Sequence, residues 1–396
     1  MPDSYTLLIQ PRDPLIARDA RPFTALDPGG RARSLDWPFP QTLAGAVRTH
    51  IGTRLGWTWT QAEQAEALAI GVQGPILVAR HEPDDTWNPF FAAPRDAVPY
   101  TNDGENSIRC LRLRPQTKLD GDGAGTDLPT GLQPLQITQE VKPVGAMAFW
   151  SLADQVRWAC NPDEERLPEH YLPTLPRETR VHVAIDHERG AVIEGKLFST
   201  EGLAFADEPL PTPSGRIPVR RQDAEPARGM LCRVTGAPTG WTPTRALMTL
   251  GGERRAAAIE PISMWPEAPP ELFASCEHTR RLRLQLVTPA HFGHGGWRPD
   301  WLDASTLIGC PPGCDGLDLR LVGAAVGRPL AVSGWDFALD DTKGVRHLAP
   351  AGSVYYFEVV SGEVTREPVT ALWLGSVCTG EQDRRDGYGL VVPGIW

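Results

Sequence analysis

Residues 34–52 read SLDWPFPQTLAGAVRTHIG, and the reading of this stretch sets the frame for the whole first domain. Two prolines and two large aromatics lead into a segment where Leu43, Val47, Ile51 and Leu55 recur every four residues, which predicts a helix over 41–55 with one apolar stripe. One side of that helix carries Gly45, Thr49 and Gly52 and is almost bare. Glycine inside a helix costs about 1 kcal/mol relative to alanine, so its presence needs a reason. One reason is close packing of helix on sheet. Another is room for something anionic or flat against a helix start pinned by Pro38 and Pro40.

Outward from the helix, SYTLLIQ (4–10) and GPILVAR (74–80) read as strands, and AFWSLADQVRWAC (148–160) as a further helix. Residues 180–206 alternate apolar and polar side chains on both sides of DHERG, the pattern of a β-hairpin. Strands are expected over 280–290, 316–325, 352–360 and 387–396, with short helices near 299–305 and 364–374. Strand, helix, strand, strand, helix, strand is a ferredoxin-like order. Residues 87–143 are polar and loop-rich around LDGDGAGTD (119–127) and read as an insertion projecting from the domain, while 208–228 and 261–270 are Pro-rich connectors.

The chain of 396 residues can bury a sizeable core, in two domains or one elaborated domain. No apolar run approaches the roughly 18 residues needed to cross a bilayer. MPDSYTLLIQ lacks a basic segment followed by an apolar core, and seven scattered cysteines suit reduced thiols, so a cytoplasmic protein without a membrane partner is expected. A net charge of −10 argues against nucleic acid. Yet of 39 basic residues only Lys118, Lys142, Lys196 and Lys343 are lysine. Arginine's planar fork suits phosphates and stacked bases, and arginines cluster at Arg31/Arg33, Arg112/Arg114, Arg216/Arg220/Arg221, Arg254/Arg255 and Arg280/Arg281/Arg283. Codon bias in a GC-rich genome would give the same excess, and net charge leaves the two open.

Five places join glycine to basic, polar or aromatic residues: Gly45 with Arg48, LGGERRAA (250–257), HFGHGGW (291–297), SGWD (333–336) and DGYG (386–389). Successive backbone N–H groups in such turns form anion-binding concavities. GAVIEGK (190–196) has the glycine and lysine spacing of a phosphate loop, but Leu197 stands where the metal-binding hydroxyl belongs. The 119–127 loop lacks the ligands of an EF-hand. His291, His294, Cys310 and Cys314 have spacings that could build a tetrahedral zinc site. No G-x-S-x-G or H-E-x-x-H is present, and His50 or His294 is the candidate general acid or base for metal-independent RNA cleavage.

PRDPLIARDARPF (11–23), WPFPQTLAGAVR (37–48), LGGERR (250–255), VTPAHFGHGGWRPDW (287–301), SGWD, PAGSVYYFEV (350–359) and the closing GYGLVVPGIW together resemble the third subunit of the type III-B (Cmr) CRISPR effector complex. That subunit belongs to the RAMP superfamily and is related to the fifth Cas family. The resemblance implies an α+β fold of two ferredoxin-like (RRM-like) RAMP domains with glycine-rich loops lining the cleft between them and a projecting insertion. The expected division is 1–270, carrying an arm at about 87–145 and the hairpin, and 271–396.

It further implies a non-catalytic RNA-binding subunit of antiviral defence, without a cofactor. Such a subunit holds the repeat-derived 5′ tag of the crRNA, docks the Cas10-type large subunit and the backbone RAMP subunit, and meets target RNA only indirectly. The RNA-binding candidates are Arg18 and Arg21; Thr42, Gly45 and Arg48; Gly251, Gly252, Arg254 and Arg255; Gly293, His294, Gly295, Gly296 and Trp297; Gly334 and Trp335; and Gly387, Tyr388 and Gly389. Trp297, Trp335 and Tyr388 are the expected stacking faces. The alternatives are a RAMP-type endoribonuclease that processes repeat RNA and a zinc-stabilised interaction module.

Overall fold

The ends of the first helix show why it forms where it does. Pro40 takes the first helical position, where its missing N–H costs nothing, Phe39 before it is extended at φ −69° and ψ 149°, and Gly56 closes the helix at φ 73°. In this computed structural model, which describes residues 4–18, 30–80, 86–101, 108–116, 126–145, 147–205, 227–293, 296–336 and 341–396, the helix spans Pro40–Leu55. Leu43, Ala44, Val47 and Ile51 are fully buried in a core with Leu7, Ile9, Met230, Val234 and Ile259. Each such side chain contributes about 1.5–3 kcal/mol by leaving water.

The chain divides into two compact units, each assembled from separate stretches: residues 1–88, 175–264 and 331–345 form the first, and 89–174, 265–330 and 346–396 the second. The chain leaves the first unit after Met264, close to the expected division. The expected assignment of 87–145 to the first domain is corrected, because Pro89–Thr174 belongs to the second unit.

In the first unit the strands Gly71–Arg80, Ala227–Thr235, Ser4–Pro11, Arg255–Pro261 and Ala246–Leu250 lie side by side in that order, each antiparallel to the next. Ser4–Pro11 and Gly71–Arg80 are therefore parallel and separated by one strand, a split β-α-β crossed by the helix Pro40–Leu55. The second crossing, from Ala227–Thr235 to Arg255–Pro261, is made without a helix. It carries the edge strand Ala246–Leu250 and one turn of 3-10 helix over Gly252–Arg254 instead. The hairpin appears as Arg177–Asp186 paired with Ala191–Leu203.

The second unit repeats the order. Asp318–Ala325, Val354–Ser361, Arg281–Leu286 and Val391–Ile395 are neighbours in that sequence, all antiparallel, with the short edge Ile308–Gly309 outside them. Here the second crossing keeps its helices, Arg366–Leu372 and Glu381–Asp386. The first crossing has none. The helix expected near 299–305 is replaced by a turn in which one oxygen of Asp303 accepts the backbone N–H groups and hydroxyls of Ser305 and Thr306. A short carboxylate that binds its own backbone offers an alternative to the helical bond, and here it wins.

The expected projecting arm is also corrected: its flanking segments are part of the second unit's core. Asp96 has no exposed surface, and it receives Nε and Nη2 of Arg283 at 2.7 and 2.8 Å and the indole N–H of Trp158 at 3.0 Å. Arg112 stacks its guanidinium 3.7 Å above the Trp158 ring and donates to Trp158 O at 2.7 Å. The Tyr356 hydroxyl lies 3.1 Å from Asp96 and 2.6 Å from Leu113 O. Burial raises the Asp96 carboxyl, but the charge and hydrogen bonds of Arg283 hold it below the usual carboxylate range. Arg112 and Arg283, two of the clustered arginines, are thus structural. Most of 119–127 lies outside the described residues.

Candidate nucleic-acid interface

In the first unit, four stretches of chain are laced together by backbone bonds around residues 12–18. Leu15 exchanges N–H and C=O with Leu203 at the hairpin base (2.9 and 2.8 Å). Ala17 O accepts Leu35 N–H at 2.7 Å, and Ala17 N–H is given to the Ser34 hydroxyl at 3.1 Å. Gly252 N–H reaches Ile16 O at 2.8 Å. Gly251 sits at φ 71°, and a Cβ there would lie 2.6 Å from Ile16 O, so this turn requires glycine.

The next two residues carry the strain. Glu253 and Arg254 both lie at positive φ, 57° and 49°, in a region that side chains seldom occupy and that functional turns often do. Arg254 is exposed and has no hydrogen bond or ion pair among the described residues. Arg255 is half-buried and gives one N–H to Glu253 at 2.5 Å. Arg33, also exposed and without such a partner among the described residues, and Arg18, whose backbone bridges Ser34, stand on the adjoining stretches.

At the hairpin base Glu201 is buried between Arg31 and Arg177, and Arg177 also bonds Asp36 and Ser34 O. Burial would raise the Glu201 carboxyl, yet the two guanidinium groups hold it below its ordinary value. This ion pair fixes the root of the hairpin.

The bare helix face resolves into two parts. A Cβ on Gly45 would meet nothing within 4 Å, and Thr49 beside it is exposed with its hydroxyl on Gly45 O at 2.8 Å. Gly52 is different: Trp57 and Trp59 cover it, and a Cβ there would lie 2.5 Å from the Trp57 ring. The half-buried Thr42 donates its N–H to Phe39 O at 3.0 Å in the first turn. Residues 331–345 return to this unit, with Gln41 donating to Ser333 O at 3.0 Å and Lys343 N–H to Gly334 O at 2.8 Å. Trp335 starts a short strand paired with Asp341–Thr342.

Arg48 is turned inward, contrary to its expected place on a phosphate. It is buried and gives Nε and Nη2 to Ile70 O at 3.1 and 2.7 Å. Its position next to Val47 on the apolar stripe was the available signal. His50 is half-buried, and burial together with Arg54 pushes its imidazole below the usual value.

The second unit gathers the other glycine turns. Asp383 accepts His291 Nδ1–H on one oxygen and Arg346 Nη1–H on the other, both at 2.7 Å. Gly293 N–H is held by Asp300 at 3.0 Å, and Tyr355 donates to Trp297 O at 2.6 Å. Gly296 has its nearest neighbour, Arg298 N, at 3.7 Å from a built Cβ. Gly387 closes the helix Glu381–Asp386 at φ 90°, and a Cβ on Gly389 would lie 2.6 Å from Cys378 Sγ.

Tyr388 is fully buried with the Arg346 guanidinium 5.3 Å from its ring centre, so the expected stacking face is closed. Trp297 is half-buried. Arg21, His294 and Gly295 lie outside the described residues. His291 has Asp383, not a metal-ligand cluster, as its partner. Among the described residues no group of three or more His, Cys, Asp or Glu is placed to hold a metal. All seven cysteines are free, and Cys314 is buried with its thiol pushed up to about 12 by burial. Among the described residues no helix is long and apolar enough to cross a membrane.

The family described as CRISPR-associated protein (Cas_Cmr3) matches residues 7–396. A search of curated protein sequences finds no match. Chains from cryo-EM structures of the Type III-B Cmr-beta bound to cognate target RNA, with and without AMPPnP, are 14% identical over 89% of this chain and 86% of theirs, with TM-scores of 0.45 and 0.47.

Proposed function

Because the chain belongs to the Cas_Cmr3 family of CRISPR-associated proteins, we propose that it is a non-catalytic subunit of a type III-B (Cmr) effector complex. In this reading its two units are RRM-like RAMP domains that hold the repeat-derived 5′ tag of the guide RNA. It docks the Cas10-type subunit and the first backbone subunit. The observation that carries the RNA reading is the Gly251–Arg255 turn: a strained backbone, braced on Ile16, presents the partnerless Arg254 beside Arg18 and Arg33. Glycine lets RNA backbone approach, and arginine meets its phosphates.

The reach over the RNA that the resemblance ascribed to 87–145 is better assigned to the hairpin. Its first strand alternates exposed and half-buried residues along its whole length, and Val181, Val183, Ile185 and Leu197 are exposed.

Titration of labelled single-stranded repeat RNA with the purified chain tests the proposal, and absence of binding at about 0.1 M salt overturns it. Gly45→Leu sharpens it. With open space at the Cβ, this variant is expected to melt within about 1 kcal/mol of the parent, and to lose tag RNA by steric block. A variant that melts and binds normally removes this helix face from the site. His50→Ala is expected to leave repeat RNA as intact as the parent protein does, read on a denaturing gel.

A further inference from the structure

His291, Asp383 and Arg346 form a constellation that the tag-binding reading does not use. The Asp383 carboxylate is shared, one oxygen to each cationic side chain, at 2.7 Å in both cases. Holding Nδ1–H fixes the imidazole's tautomer and orientation, which leaves Nε2 on the far edge of the ring. No partner of Nε2 exists among the described residues, and the side chain is 20% exposed.

Charge decides what the open nitrogen can do. With His291 neutral, Arg346 and Asp383 balance. With His291 protonated, one carboxylate faces two cations and the cluster carries a surplus positive charge at its exposed edge.

The surroundings neither cancel nor supply that charge. Asp300 is held by Gly293 N–H at 3.0 Å and the Thr379 hydroxyl at 2.6 Å. Arg384, on the helix of Asp383, gives its Nη1 to Thr379 O at 2.8 Å. Cys378, against the His291 backbone, has its thiol pushed up to about 12 by burial and stays neutral. His347, beside Arg346, is exposed. The ring also opens the turn that continues to Gly293 and Gly296, where missing side chains leave room.

We propose that His291, positioned by Asp383 and Arg346, is a proton-gated contact for a phosphodiester of the bound RNA. Protonated Nε2–H donates to a phosphate oxygen, the proton coming from solvent, and neutral Nε2 repels the same oxygen with its lone pair. The inference rests on the RNA-binding function proposed above.

Binding of the full chain to single-stranded repeat RNA is measured at about pH 5.5 and pH 8 at constant ionic strength, the interval in which imidazoles exchange a proton. The parent is expected to bind about tenfold tighter at the lower pH, the scale of one charge-assisted hydrogen bond. His291→Gln is expected to match the parent at pH 8 and to lose the pH response. As a check that needs no variant, calorimetry at about pH 7 in buffers of different ionisation heat is expected to show proton uptake on RNA binding. RNA binding with an equal pH response in parent and variant, or without proton uptake, overturns the proposal. No binding at either pH overturns the function beneath it.

Discussion

Asp96→Asn is expected to lower the unfolding free energy by about 3–5 kcal/mol, the cost of leaving buried guanidinium groups without their counter-charge. That is a large fraction of the 5–15 kcal/mol typical of a folded domain. The substitution keeps size and shape, so the loss reports charge alone. Arg283, with no exposed surface, would keep its cation and lose both short bonds, while Arg112 at 3.8 Å would lose the same partner. Tyr356 and Trp158 would be left beside an amide. Urea or guanidinium unfolding of the full chain gives the number, and a shift below about 1 kcal/mol would show that the network is not what ties residues 93–113 to the second unit.

The acid limb has a defined sign. A carboxyl held low in the folded state contributes stability fully present above its unfolded value of about 4 and lost as pH falls through the folded one. The parent should therefore lose stability on acidification more steeply than Asp96→Asn does.

Removing Arg33 and Arg254 together is expected to weaken single-stranded RNA binding about 10- to 100-fold at about 0.1 M salt. The slope of log affinity against log salt should fall by about 1.4, or about 0.7 for each phosphate left without its arginine. Both side chains are exposed without partners among the described residues, so their removal should leave melting unchanged. Arg48→Ala is the control with the opposite signature. Its guanidinium satisfies the carbonyl of Ile70, and its removal should cost about 1–3 kcal/mol of stability with no change in salt slope. An unaltered slope in the double variant would remove the Gly251–Arg255 turn and its neighbour from the RNA surface.

Elements whose hydrophobic pattern is local were legible. The helix Pro40–Leu55 announced itself through Pro40, a four-residue apolar repeat and Gly56, and the hairpin through strict alternation around its turn. Three strands of the first sheet gave no such signal. Ala227–Thr235 lies between two other strands, so both its faces are covered and alternation disappears. Arg255–Pro261 begins with an arginine and three alanines, residues of weak strand preference that serve here because the neighbours are close. The glycine-rich stretch before it read as a loop alone and proved to be a loop between two paired strands.

The site divides along the same line. Motif order along the chain carried the family, since glycine turns and their arginines keep their local geometry wherever they are placed. Exposure did not follow from motif membership: Tyr388 and Arg48 look equivalent to Trp297 and Arg254 in sequence, and burial separates them.

Sequence by itself determined the elements with short-range periodicity, the turns where a missing Cβ is needed and the cluster of motifs that marks the family. Tertiary structure alone decided that residues 89–174 belong with the C-terminal sheet and that Asp96 pairs with an arginine 187 positions away. It alone also set which guanidinium groups remain available to a phosphate. The physical reason is that a charge is assigned by what surrounds it once water is excluded, and those surroundings come from segments far apart in the chain.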